Sequence, residues 1–500
     1  MMKYEFEHAI ENGNCTGGCE AANENARIAE AARKRPIENW IVAGVILVFA
    51  IVAWAHIRST TIWYDEAITM LTTSGHARPD WSLGMEQFKP TANLVRILSD
   101  LYRYDVHPPF YFWMLAIWRV LFGRSLEVAR LLSALFTLGT MGLLYSYAIE
   151  VRMKWPPVPV IIYAVSSAGL RYAYNARPYA LASFLVVLTL FLSHRKSKWA
   201  GICAGACVAT HYFAALCVSP IIAIECLRAW KTQRRWAVWT GIGFVAICSP
   251  LTILVAKHAG ARPQQFPVFG IFRKEVYALM AGALEGALPS TSLWPLWRLV
   301  LLLGLLIALV GGVWALRLKQ VALPLAYGAF LCGFLLLCIV THKSVVKMPA
   351  DYYLGVGAPL LILLIASGLD AVPLMSPVLA AALVAGTVTA TPMMSTIDYR
   401  DMLRHIRKEC NHCAVLVGFG EGGAVPACVL YEAKGLDVFL LQMNDVPDEL
   451  VQRIGQGRTI FLIPAQEPRT IEVERDFEEI LPAEAQKGYF KIDTSRFAMP

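Results

Sequence analysis

Asp65 and Glu66 stand side by side just beyond the first long apolar run, in the stretch Thr61-Ile62-Trp63-Tyr64-Asp65-Glu66. In a chain this apolar, ionised carboxylates persist where water or a charged substrate reaches them. One placed at a membrane face is a candidate general base, able to take the proton of an acceptor group and to contribute roughly 10²–10⁴-fold to a transfer rate. The other half of such a displacement needs cations, because negative charge builds on a leaving phosphate in the transition state. Arg177, Lys343 and Lys347 are candidates for that role, Arg being suited to bidentate phosphate contact. His107 before Pro108-Pro109, Tyr179 after Pro178 and His211 between Thr210 and Tyr212 complete the set of polar and aromatic residues near the ends of apolar runs. Each also has a plainer role open to it. Asp65 could cap a helix starting near Ala67, His107 could fix a turn, Arg177 could snorkel, and Tyr179 could belong to an interfacial belt. Lysines that flank spans are ordinary.

The elements that must position these residues follow from composition. Of 500 residues, 57% are hydrophobic and 16% are charged, against about a quarter charged in soluble domains. The chain is therefore expected to be a polytopic membrane protein. Its net charge of +8 is gathered beside apolar runs, the pattern that orients spans rather than one that binds nucleic acid. Most of the twelve cysteines (Cys203, Cys207, Cys217, Cys226, Cys248, Cys332 and Cys338 among them) fall inside apolar runs, where a thiol behaves as a small hydrophobe. Cys15 and Cys19 lie in the polar N-terminal tail. Cys410-Asn411-His412-Cys413 is a lone C-x-x-C: a disulfide between Cys410 and Cys413 and two unpaired thiols both stay open, and a metal site is disfavoured.

Runs of the length a bilayer requires place spans at about 38–57, 126–149, 157–174, 178–193, 199–212, 213–229, 236–256, 294–316, 321–341, 354–370 and 374–392. Residues 1–37 form a tail ending in Arg33-Lys34-Arg35, which the positive-inside rule puts in the cytoplasm. Arg152, Lys154, the cluster from Arg195 to Lys198, Arg228 to Arg235, Arg317 and Lys319 then fall inside as well, provided that 108–123 does not cross. That segment contains Arg119 and reaches only ~24 Å as a helix, so it is expected to lie at the interface. Segment 58–125 becomes a large first outer loop. Asp65, Glu66, His107, Arg171, Asn175, Arg177, His211, His258, Arg262, His342, Lys343 and Lys347 all converge on the outer face. Residues 38–392 form the membrane domain, and 393–500 a small extracytoplasmic α/β domain with an amphipathic helix at Tyr399–Glu409 and strands near 414–418, 438–441 and 459–463. Gly418-Phe419-Gly420-Glu421-Gly422 follows a strand but lacks the full nucleotide-binding fingerprint, so a turn is expected.

Three ordered motifs go beyond composition. They are Trp63-Tyr64-Asp65-Glu66-Ala67; Asp105-Val106-His107-Pro108-Pro109-Phe110-Tyr111-Phe112, continuing to Ala129-Arg130-Leu131-Leu132; and Tyr174-Asn175-Ala176-Arg177-Pro178-Tyr179, with Thr210-His211-Tyr212 further on. Over about 40–370 this resembles the GT-C superfamily of integral membrane glycosyltransferases, in the group of protein O-mannosyltransferases, aminoarabinose transferases and Rgt-type transferases. The resemblance implies an all-α polytopic membrane protein of about eleven transmembrane helices, with the catalytic carboxylate in the first outer loop. It also implies a sugar donor on a polyprenyl phosphate and an acceptor (lipid, glycan or protein) at the outer face of the cytoplasmic membrane. Asp65 matches the family's loop carboxylate and Glu66 its acidic neighbour. His107, Arg177 with Tyr179, and His211 match its other elements. Asn175 stands where the family usually has Glu, and Ala350-Asp351-Tyr352-Tyr353 replaces its late Arg-Tyr pair. No cofactor is expected to be required, although a lone acidic pair can bind Mg²⁺ or Mn²⁺ with substrate phosphates. A transporter or flippase of lipid-linked sugars would instead place charges near the bilayer midplane on broken helices. A non-catalytic envelope scaffold is the third reading.

Overall fold

The computed structural model describes residues 16–76, 86–105, 107–258, 272–287, 306–316, 320–341, 343–347, 353–371, 399–409, 414–418, 424–433, 436–441, 460–463 and 490–492. Up to residue 371 the regular structure is helical, as it must be where apolar surroundings leave backbone N–H and C=O groups no water to bond. The first helices are α1 (Thr16–Ser59), α2 (Tyr64–Thr72), α3 (Leu94–Tyr104), α4 (Phe110–Phe122) and α5 (Leu126–Glu150). Then come α6 (Val158–Val165), α7 (Ser167–Ala173), α8 (Tyr179–His194), α9 (Ala200–Val208), α10 (Ala215–Ala229) and α11 (Arg234–His258). The helical part closes with α12 (Phe272–Ala287), α13 (Leu306–Leu316), α14 (Ala322–Val340) and α15 (Ala358–Ala371).

Among the described residues, five stretches are long and apolar enough to cross a membrane: Pro36–Ser59, Leu126–Glu150, Tyr212–Ala229, Arg234–Val255 and Ala322–Val340. They coincide with five of the expected spans. Phe110–Phe122, Tyr179–His194, Leu306–Leu316 and Gly355–Ala371 are shorter apolar helices. The expected span 157–174 is instead the pair α6 and α7, broken at Ser166, whose extended backbone lets its Oγ accept from Gly169 N at 3.0 Å and start α7. The expected span 199–212 stops at Val208. The span expected at 374–392 and the first part of 294–316 lie outside the described residues. Helix α12 was not expected at all, because Arg273, Lys274, Glu275 and Glu285 interrupt its hydropathy.

Helix α5 packs between α1 and α8, α8 against α9, α9 against α11, and α10 against α14. The α9–α11 crossing depends on Gly201, where a Cβ would sit 1.9 Å from the Thr240 carbonyl oxygen. Between α1 and α5, Asn93 Oδ1 accepts from Arg96 N and starts α3, while Gly123, at φ 123°, ends α4. The α4 tryptophans fasten that helix on both sides: Trp113 Nε1 donates to Leu94 O at 3.0 Å and Trp118 Nε1 to Val128 O at 2.7 Å.

The C-terminal part is α/β as expected. It contains α16 (Tyr399–Glu409), β1 (Ala414–Gly418), α17 (Ala424–Glu432), β2 (Asp437–Leu441), β3 (Ile460–Ile463) and β4 (Phe490–Ile492). The strand order is β2-β1-β3-β4, with β1 parallel to β2 and β3, and β4 antiparallel to β3. Leu416 thus lies opposite both Phe439 and Leu462. Strand β4 was not expected, being only Phe490-Lys491-Ile492. Cys15, the Cys410–Cys413 segment and residues 419–422 of the glycine-rich stretch are outside the described residues.

Candidate active site

The two neighbouring carboxylates occupy opposite environments. Helix α2 begins at Tyr64, so Asp65 and Glu66 fall in its first turn, where the helix dipole favours negative charge. Asp65 is therefore not the cap, which is Trp63. Glu66 performs the capping, accepting from the Trp63 backbone N–H at 3.1 Å. Its side chain is 1% exposed, against 27% for Asp65. Arg130 Nε donates to Glu66 Oε1 at 2.8 Å and Arg130 Nη2 to Oε2 at 2.5 Å, and the Ala176 N–H donates to Oε1 at 2.8 Å. Four donors fill a carboxylate that has about four acceptor positions. Arg130 is equally engaged, reaching Ile57 O, Thr60 O, Thr60 Oγ1 and Thr61 O. Glu66 therefore joins the end of α1, the start of α2, helix α5 and the Asn175–Arg177 segment. A direct catalytic role for Glu66 does not fit this geometry.

Asp65 faces the opposite way, with Oδ2 at 3.5 Å from Arg177 Nη2. Arg177 is buried and also donates to Thr69 Oγ1 at 3.0 Å and Asp65 O at 3.4 Å. Thr69, one helical turn beyond Asp65, donates its hydroxyl to Asp65 O at 2.8 Å, so it joins helix backbone to guanidinium. Arg177 Nη2 lies 3.1 Å from His107 Nε2. A guanidinium only donates, so Nε2 is the acceptor and the ring proton sits on Nδ1, which bonds Asp105 Oδ1 at 2.6 Å. The result is an ordered chain Asp105–His107–Arg177–Asp65. It brings together the loop carboxylate, the His-Pro-Pro segment and the Arg-Pro-Tyr segment. The Thr-His-Tyr segment is attached to them by Phe110 N donating to Ala209 O at 3.0 Å.

Tyr179 and His211 sit beside this chain in an aromatic wall. The rings of Tyr179 and Tyr172 stack at 5.3 Å, His211 lies 5.0 Å from Tyr179, and Tyr353 lies 5.3 Å from Phe213. His211 is 4% exposed, and its Nδ1 has no hydrogen-bond partner among the described residues. Gly355 is needed for the wall to close, since a Cβ there would meet Tyr172 Oη at 2.1 Å.

The two lysines are placed differently. Lys343 N donates to Cys338 O, just past the end of α14. No hydrogen bond or ion pair among the described residues joins its side chain to the Asp65–Arg177 group. The Lys347 side chain lies outside the described residues. What holds their loop is Glu275 of α12, which accepts from Ser344 Oγ at 2.6 Å, Val345 N at 2.6 Å and Val346 N at 3.3 Å.

Several organising residues escaped the sequence expectations. Arg119 is fully buried and directs its guanidinium at the end of α2, reaching Met70 O at 2.8 Å, Thr73 Oγ1 and Ser74 Oγ, with Phe88 O at 2.6 Å. Arginine at a helix C-terminus satisfies carbonyls that have no partner within the helix. Arg130, Asp105, Thr69 and Glu275 belong to the same group. The one available signal was the charge itself for Arg119 and Arg130, which are ionisable residues within apolar stretches; Glu275 sits in the charged run Arg273-Lys274-Glu275 and gave no such signal. Among the described residues, no three or more His, Cys, Asp or Glu side chains cluster as a metal site.

Residues 106–254 match the model of a family described as dolichyl-phosphate-mannose-protein mannosyltransferase. That segment holds His107, Arg130, Arg177, Tyr179 and His211, and it supports the GT-C type of membrane glycosyltransferase to which the motifs pointed. Two solved structures are similar to the chain at 13% identity, both of ArnT from Cupriavidus metallidurans. In the apo state the match covers 87% of this chain and 94% of that one, with a TM-score of 0.40. Bound to undecaprenyl phosphate, the figures are 87%, 95% and 0.39. A likeness at that level transfers no residue role. No curated protein matches the chain.

Proposed function

We propose that this chain is a membrane glycosyltransferase that moves a sugar from a polyprenyl-phosphate-linked donor to an acceptor at the outer face of the cytoplasmic membrane. In this reading the N-terminus is cytoplasmic, and the site and the C-terminal domain are extracytoplasmic. The observation that carries it is the division of labour between neighbours. Asp65 is partly exposed and held at 3.5 Å from a buried arginine, whereas Glu66 has every acceptor position filled.

Asp65 is then the general base that takes the acceptor proton, and the Arg177 guanidinium, 3.5 Å away, orients its carboxylate. Direct departure of the lipid phosphate from the opposite side of the sugar inverts the anomeric carbon. Arg177, with Lys343 and Lys347 from the loop that Glu275 holds, supplies cationic stabilisation of that phosphate. A buried polar atom left unpaired costs about 1–3 kcal/mol. The His211 Nδ1, set in the Tyr179 wall, is therefore a natural partner for a polar group of the donor. No metal ion is obligatory here; a Mg²⁺ or Mn²⁺ ion arriving with the donor phosphates would find Asp65 as its protein carboxylate. The convergence of the charges beside the first outer loop favours this enzyme over a flippase.

The test is transfer from radiolabelled polyprenyl-phosphate sugars into envelope fractions, with wild type and Asp65→Asn at equal expression. Label entering one fraction and vanishing in the variant supports the proposal and identifies the acceptor class. Transfer unaffected by Asp65→Asn removes Asp65 as the base.

A further inference from the structure

Helix α17 of the C-terminal domain does not stand apart from the catalytic loop. It packs directly against α2, the helix that carries Asp65 and Glu66. Cys428 of α17 is fully buried there. Burial first, and then the charges of Glu66, Glu432 and Asp65, push its thiol well up from the ordinary range. Three residues on, Tyr431 makes the most specific contact. Its hydroxyl accepts from the backbone N–H of Leu126 at 2.8 Å. Leu126 is the first residue of α5, whose opening N–H groups have no partner within the helix. Ser125 Oγ already serves Val128 N. The Tyr431 ring also meets Phe88 edge-on at 5.2 Å, and the Phe88 carbonyl is the one held by Arg119 Nη2. Tyr431 therefore touches the start of α5, one turn before Arg130, and the segment that Arg119 ties to the end of α2.

The domain is built to hold that tyrosine in place. The next residue, Glu432, is buried and paired with Arg400 of α16 at 3.1 Å, and Arg407 Nη2 donates to the Glu432 carbonyl at 2.8 Å. Leu403 and Ile406 of α16 are fully buried in the same core. A side chain 305 positions away in sequence thus completes the first turn of the helix that bears the Glu66 partner.

We propose that the C-terminal domain positions the catalytic loop, with Tyr431 as the positioning residue that locks α2 against the first turn of α5 and so fixes the placement of Asp65. Its kinetic consequence rests on the glycosyl-transfer reading above, whereas its structural consequence does not.

The experiment uses the full chain in detergent or nanodiscs, comparing wild type with Tyr431→Phe, which keeps the ring on Phe88, and Tyr431→Ala, which removes it. Backbone hydrogen–deuterium exchange is measured over 64–72 and 126–133, with 179–194 as the internal reference. Loss of one hydrogen bond should speed exchange in the first two segments roughly two- to tenfold in Tyr431→Phe and further in Tyr431→Ala, with the reference unchanged. In the transfer assay, Tyr431→Phe should lower kcat while KM for the polyprenyl-phosphate sugar stays constant. Exchange at wild-type rates over both segments in both variants overturns the proposal, as does a raised KM at unchanged kcat. Faster exchange together with transfer that survives Asp65→Asn leaves the positioning intact and defeats the functional reading instead.

Discussion

Asp65 and Glu66 differ by one position and by nearly everything else. Their substitution should therefore separate chemistry from stability. Asp65→Asn is expected to lower kcat by about 10² or more with an unchanged thermal midpoint in detergent, because its side chain is partly solvated. Glu66→Gln should do the reverse of a catalytic lesion. It leaves the buried Arg130 guanidinium without its counter-charge, and breaking a buried pair by removing one partner costs about 3–5 kcal/mol. A large drop in the thermal midpoint and in folded yield would establish this, and a stable but inactive Glu66→Gln protein would contradict it. The doublet stood out in the sequence at once, but its two roles did not. They depend on which carboxylate the Arg130 side chain and the Ala176 N–H can reach, and both lie far along the chain.

At the scale of elements, α2 is fixed at both ends by arginines from helices that follow it, Arg130 at the start and Arg119 at the end. Arg119→Met keeps much of the length and removes the donors. It should lower the thermal midpoint and raise the exchange of 64–72 while leaving 179–194 alone, because the Met70 and Phe88 carbonyls each lose a charged donor. On the other wall of the site, Gly355→Ala would bring a Cβ to 2.1 Å from Tyr172 Oη. The displaced Tyr172 would move its stacked neighbour Tyr179, so KM for the lipid-linked donor should rise more than kcat falls. The length of apolar runs revealed the five long helices well and the break at Ser166 poorly. A serine cap in an apolar run changes hydropathy little but reroutes the chain.

For the molecule as a whole, distant segments hold the loops around the candidate site in register. Glu275 of α12 holds the 343–347 loop through three hydrogen bonds. Glu275→Gln gives up the carboxylate's strength toward those two backbone N–H groups. Its expected effect is a KM for the polyprenyl-phosphate sugar raised about tenfold, the equivalent of ~1.4 kcal/mol, with kcat little changed and the wild-type helix content retained. An unchanged KM would detach this loop from donor binding.

The sequence by itself determined the class of protein and supplied the candidate residues of the site. Apolar runs too long for a soluble core, positive clusters beside them and three ordered motifs placed Asp65, His107, Arg177, Tyr179 and His211 on one face, and the structure brings these together. It also contained three of the four described C-terminal strands, since short β-branched and apolar runs between breakers leave few alternatives. Tertiary structure alone decided who holds whom. The Glu66–Arg130 clamp, the Asp105–His107–Arg177 chain, the Glu275 loop anchor and the Tyr431–Leu126 bond each join residues whose separation in sequence has no period to detect. The reason is physical: hydropathy reports what leaves water, whereas a buried polar group is satisfied by whichever donor or acceptor the packing brings within about 3 Å.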